Sequence, residues 1–189
     1  MSGRKAADLA KVKPGRPMAP GLYRARLPVD YQGMIPARVA AVLAANGLSA
    51  IELEEGSTPT SPLAAERLGV QVGQIAKSIL VKSKDGRLFL IVCPGDLRLS
   101  NGKLKELLGV RTSMATHEET LAATGFRPGG VCPFGIDGIP IYVDRALARY
   151  GTVYPAAGTD GSGVALSYAD LLRITGATEC DAVEPAGGT

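Results

Sequence analysis

Apolar positions Ile35, Val39, Val42 and Leu43 recur at helical spacing, Pro36 stands where a first helical turn tolerates proline, and Asn46-Gly47 supplies a stop. This pattern predicts a helix over 36–46. Ala50 to Leu53 reads as a short strand leading to an acidic turn, after which Ser61 with Pro62 opens a second helix that Gly69 closes. The period then changes. Ile75 to Ser83 and Leu88 to Cys93 flank Lys84-Asp85-Gly86-Arg87, and Asp-Gly between two apolar runs predicts a hairpin. The second run, LFLIVC, is apolar on both faces, so it predicts a strand covered on both sides. Leu104, Leu107 and Leu108 predict a helix ended by Gly109; Thr116 with Glu119 reads as a capping box for another, ended by Gly125. Ile139 to Val143 reads as a strand, and Ser167 with Asp170 begins a last helix that Gly176 stops. The segment before Tyr31 has no apolar period and carries Pro14, Pro17, Pro20 and Pro28. The expected organisation is therefore a flexible leader over 1–30, a domain over 31–177 and a loose tail over 178–189.

A chain of 189 residues with 46% hydrophobic content suits one α/β or α+β domain with a single core. It has no apolar run of eighteen residues, and its N-terminus lacks the apolar stretch of a signal peptide, so a soluble cytoplasmic protein without membrane contact is expected. Cys93, Cys132 and Cys180 are odd in number and form no CxxC pair, which suits a reducing compartment. A single histidine excludes a His-rich metal site, and no metal or cofactor is expected. The net charge of +3 is uneven: residues 1–30 hold seven Lys/Arg against two acids, and the remainder fourteen against sixteen. The leader reads either as a flexible arm that touches polyanions or as an ordinary solubilising tail.

Lys77 is the first candidate for chemistry. In a strand from Ile75 it shares a face with Ile79 and Val81, opposite Ser78, Leu80 and Lys82, and a lysine among apolar residues is costly unless it meets an anion or opens into a cleft. The alternative is a turn from which the ammonium reaches water. The second candidate is Gly125-Phe126-Arg127-Pro128-Gly129-Gly130-Val131-Cys132-Pro133-Phe134-Gly135, whose glycines would let main chain approach a ligand, or simply shape a turn. It matches neither a P-loop nor a dinucleotide fingerprint. Cys132 would need a base to act as a nucleophile, and His117, the only histidine, is expected in an exposed first helical turn. Asp96 after Pro94-Gly95 reads as a turn residue.

Together QIAKS followed by a hairpin, PGD, KLKELLG, TGFRPGGVCPFG and LSYADLLRITGA resemble, in order and spacing, the YbaK/EbsC family, also described as the prolyl-tRNA synthetase editing-domain family. The resemblance runs from about Ile35 to Ala177. It implies a mixed, curved β-sheet partly closed into a barrel with helices around it. It also implies a metal-independent aminoacyl-tRNA deacylase, acting in freestanding form on mischarged tRNA, such as alanine or cysteine on tRNA for proline, with prolyl-tRNA synthetase as a partner. By the same resemblance Lys77 takes the lysine position that holds the tRNA end, and Ser78 the small polar position beside it. Gly129, Gly130 and Val131 match the loop whose main chain approaches the ester, with Cys132 next to it, and Gly158 matches a glycine of the later strand-to-loop turn. Lys77, Gly129 and Gly130 are the expected catalytic positions. Where cysteine-removing members carry serine and aspartate, this chain aligns Ala156 and Gly163, which argues against cysteine as the substrate.

An aminoacyl ester is already activated, so placing water or the neighbouring ribose hydroxyl and stabilising the oxyanion would suffice. The pocket walls are expected from the first helix, the strand near Leu53 and the Phe134 loop. Two rivals stand beside this reading: a non-catalytic module that binds a nucleotide or tRNA end, and a cysteine-dependent enzyme.

Overall fold

The computed structural model describes residues 34–186. The basic leader over 1–30 lies outside the described residues. The described chain runs α1 (Ala37–Ala45), β1 (Ala50–Glu52), α2 (Ser61–Leu68), a 3-10 turn (Val72–Gln74), β2 (Ile75–Ser83), β3 (Leu88–Pro94), β4 (Leu97–Leu99) and α3 (Asn101–Leu108). It continues through β5 (Thr112–Met114), α4 (His117–Thr124), β6 (Ile141–Asp144), a second 3-10 turn (Arg145–Arg149), β7 (Tyr154–Pro155), β8 (Ser162–Val164), α5 (Tyr168–Thr175), β9 (Thr178–Cys180) and β10 (Val183–Pro185).

The helices start and stop where local chemistry dictates. Thr116 and Glu119 exchange the two hydrogen bonds of a capping box at α4, and Ser167 Oγ accepts from Asp170 N–H at α5. Helices α2, α3, α4 and α5 each end on a glycine in left-handed backbone, namely Gly69, Gly109, Gly125 and Gly176. Asn46, which follows α1, instead turns its side-chain amide back to the Val42 carbonyl at 2.9 Å.

The main sheet has six strands. Its order is β5-β2-β3-β6-β9, with β7 also on β2. The β2–β3 hairpin is antiparallel, pairing Lys77 with Cys93, Ile79 with Ile91 and Val81 with Phe89. β3–β6 and β6–β9 are parallel. Two further ribbons, β1–β8 and β4–β10, stand apart. The fold is thus a mixed α+β arrangement, but no closed barrel forms among the described residues. β5 and β9 are the two ends of the strand order and do not pair with each other, so the sheet stays open.

Strand β3 separates two cores, as its all-apolar sequence requires. Leu90 and Val92 join Val39, Leu43, Phe126 and Phe134 in the larger one, whereas Phe89 and Ile91 join Val81, Leu104, Cys180 and Ala182 in the smaller. The tail beyond Ala177, expected to be loose, is corrected here. β9 extends the sheet, β10 pairs with β4, and Cys180, Ala182 and Val183 are buried. The anchor is Asp144, a buried carboxylate that accepts from the N–H groups of Ala146 (2.8 Å) and Ala182 (2.6 Å). A buried carboxylate with two backbone donors is satisfied, and it ties the C-terminal segment to β6.

Candidate active site

β2 is flanked by β3 along its length, but its other side is only partly covered. β7 pairs there with Ile75 and Ala76, and β5 with Val81, Lys82 and Ser83. Lys77, Ser78 and Ile79 fall in the gap between those two ladders. A cleft of about 250 Å3 opens at this point. Lys77, Ser78, Gly129 and Val131 line it together with Thr58, Thr60 and Ser61, which lead into α2. Leu53, Leu68, Pro155, Ala156 and Gly163 make the remainder largely apolar.

Lys77 has the face that strand alternation predicts, beside Ile79 and Val81. Its ammonium does not hang free in the cleft. It donates to the carbonyl of Gly95, 3.3 Å away in the turn joining β3 to β4, and to that of Leu97 at the start of β4. An ammonium has three donors, so this anchoring fixes the cation at the cleft edge and leaves donor capacity for a ligand. Ser78 points to the opposite face, and its Oγ is buried without a hydrogen-bond partner. Asp96, in the same turn, is held by Arg149 through both carboxylate oxygens, at 2.6 and 2.7 Å, as befits a structural residue.

Of the remaining expected site residues, Gly130, Cys132 and Gly158 do not reach the cleft surface. A Cβ at Gly130 would stand 2.8 Å from Thr159 main chain, and one at Gly158, where φ is +100°, would stand 2.7 Å from Pro36. Gly130 is glycine because loops 125–135 and 156–163 meet there, and Gly158 because its backbone is left-handed and the Pro36 ring lies against it. Cys132 is corrected from a substrate contact to a core residue. It is 0% exposed, its Sγ–H faces the Phe134 carbonyl at 3.7 Å, and burial pushes the thiol up to about 12. His117 is exposed at the start of α4. The Cys-His alternative therefore has no geometry to stand on.

The expected pocket walls also shift. Leu53 is one of them, but Phe134 is 1% exposed inside the core, and the place foreseen for α1 is taken by the start of α2. Thr58, Thr60, Ser61, Tyr154 and Ser162 were not legible as site residues. Only the density of hydroxyls in Ser57-Thr58-Pro59-Thr60-Ser61 signalled anything, and it reads equally as a turn. Among the described residues no carboxylate, imidazole or thiol lines the cleft, and no three His, Cys, Asp or Glu gather to hold a metal ion. No described helix is long and apolar enough to cross a membrane.

With this geometry in view, residues 55–174 match the family described as the aminoacyl-tRNA editing domain. The uncharacterized protein YwhH of Bacillus subtilis is 38% identical over 64% of this chain and 78% of its own length. A protein of Enterococcus faecalis named "Putative Cys-tRNA(Pro)/Cys-tRNA(Cys) deacylase EbsC" is 30% identical over 59% of this chain and 69% of its own. A solved structure described as "a putative trans-editing enzyme for prolyl tRNA synthetase" superimposes with a TM-score of 0.71 at 37% identity, covering 78% of this chain and 95% of the other. The match to the family spans well over half of the chain and takes in the strand lysine, the hairpin and the glycine loop that contribute to the cleft: this protein belongs to the aminoacyl-tRNA editing domain family.

Proposed function

We propose that this protein hydrolyses the ester joining a wrongly attached amino acid to tRNA, acting in trans, in the cytoplasm, with tRNA for proline as the RNA. The observation that carries this reading is the cleft beside Lys77, lined by Gly129 and Val131 and by hydroxyl side chains. A fixed cation at the rim suits the phosphate or ribose of a tRNA end, and the concavity behind it suits a small aminoacyl group.

The chemistry then asks little of side chains. Lys77 holds the polyanionic end, Ser78 lies beside it, and the main chain at Gly129 and Val131 offers donors to the carbonyl oxygen as it gains charge. Gly130 and Gly158 support that loop from behind. Because no proton-accepting side chain lines the cleft, the attacking water is activated by the substrate's own neighbouring ribose hydroxyl. Ala156 and Gly163, bridged to each other across the cleft wall, present no hydroxyl or carboxylate. A small apolar amino acid such as alanine is the favoured substrate over cysteine, although one methylene changes selectivity by only about 1–3 kcal/mol.

The test is a panel of mischarged tRNAs incubated with the purified protein. Amino acid should be released, most readily from tRNA for proline carrying alanine. Lys77→Ala should lower kcat/KM by about a hundredfold or more, as removal of a positioned donor does, with an unchanged circular dichroism spectrum. Binding without release on every tRNA would favour the non-catalytic module, and full activity in Lys77→Ala would overturn the scheme.

A further inference from the structure

On the face of β2 that carries Lys77, beyond the gap between β7 and β5, lies a second cleft of about 310 Å3. That size falls in the range of roughly 300–1,000 Å3 usual for ligand sites. Its floor is apolar, made by Ile79, Val81 and Leu104 of the smaller core. Its rim is polar and basic: Lys77, Arg98 from β4, Asn101 at the start of α3, and Thr112 on β5. Met114, 69% exposed, closes the far side. No carboxylate lines it; the nearest to Arg98 is Glu184, which pairs with that guanidinium at 2.8 Å from outside the cleft.

Three features together select the occupant. The two clefts share Lys77, so a ligand seated in the first continues into the second past one fixed cation. Two cationic side chains without a lining acid favour an anionic chain. A flat apolar floor edged by amide and hydroxyl groups suits a nucleobase, whose faces are apolar and whose edge is polar, and the thioether of Met114 packs well against aromatic rings. We infer that the second cleft receives the base of the nucleotide preceding the terminal adenosine of an unpaired RNA 3′ end, with its phosphate at Lys77 and Arg98. This rests on the deacylase reading for the occupant of the first cleft, and it assigns the second cleft a separate role in affinity for RNA.

The test compares two substrates carrying the same amino acid: the full mischarged tRNA, and the amino acid esterified to adenosine alone, which cannot reach the second cleft. Met114→Glu and Thr112→Glu, on the strand that edges this cleft and on the face of Val81 and Ser83, place negative charge in it. Each should raise KM for the tRNA by about tenfold, the scale of one lost base-stacking contact, with kcat unchanged and hydrolysis of the adenosine ester unaffected. An unchanged KM, or equal loss on both substrates, overturns the inference. Should the wild-type protein release no amino acid from any tRNA, the deacylase reading fails separately. A fluorescent oligoribonucleotide ending in cytidine-cytidine-adenosine then decides: binding weakened about tenfold by Met114→Glu supports the second cleft, and absent or unaltered binding overturns it.

Discussion

The three cysteines show how far burial controls chemistry at the residue scale. Desolvation raises the thiols of Cys93 and Cys132 from 9.0 to about 12, against a weaker opposing pull from Lys77 on the first and from the Phe134 main chain and Arg38 on the second. An unfolded chain ionises these thiols near 9, whereas the folded chain keeps them protonated, so above that pH the unfolded state binds fewer protons. Stability is therefore full below pH 9 and falls as pH rises toward 12. Denaturant midpoints measured across this window should decline, and less steeply in Cys93→Ala or Cys132→Ala, even though each substitution lowers the starting midpoint. Cys132→Ser should retain most deacylase activity, since the thiol lies in the core and not in the cleft. Gly130 shows control by shape. Gly130→Ala forces a Cβ against Thr159 main chain and should cost about 1–3 kcal/mol in unfolding free energy.

Elements divide by length. The helices and the long hairpin are legible because each carries its own period and its own stop or turn signal within a short stretch of chain. Thr116 illustrates how local that information is: its hydroxyl accepts from Glu119 N–H at 3.2 Å, and the Glu119 carboxylate returns the bond to Thr116 N–H at 2.9 Å. Thr116→Ala should cost about 1 kcal/mol, read as a shift in denaturant midpoint without a change in slope. Strands β4, β5, β7, β8, β9 and β10 have two or three residues each, too few to display alternation, and they exist only because a partner in register accepts their hydrogen bonds. This is why the segment after α5 read as loose although it completes both the main sheet and a ribbon.

Across the whole molecule that C-terminal segment is a structural component. Removing residues 178–189 would strip β9 from β6 and β10 from β4, uncover the smaller core around Ile91 and Leu104, and leave the buried Asp144 carboxylate without its Ala182 donor. The truncated chain should lose cooperative thermal unfolding or melt far below the intact one, whereas a chain ending in a dispensable tail would melt unchanged. By itself the sequence determined the helix boundaries, the twice-covered strand, the face on which Lys77 stands and the family likeness of its glycine loop, because spacing and turn chemistry act over a few residues. Tertiary structure alone decided which glycines face the cleft and which back it, that Cys132 is core, that the loop entering α2 forms a wall, and that Lys77 is anchored between two hollows. Those outcomes depend on contacts between segments more than a hundred residues apart, such as Asp160 with Gly56 and Thr58, and no local period records them.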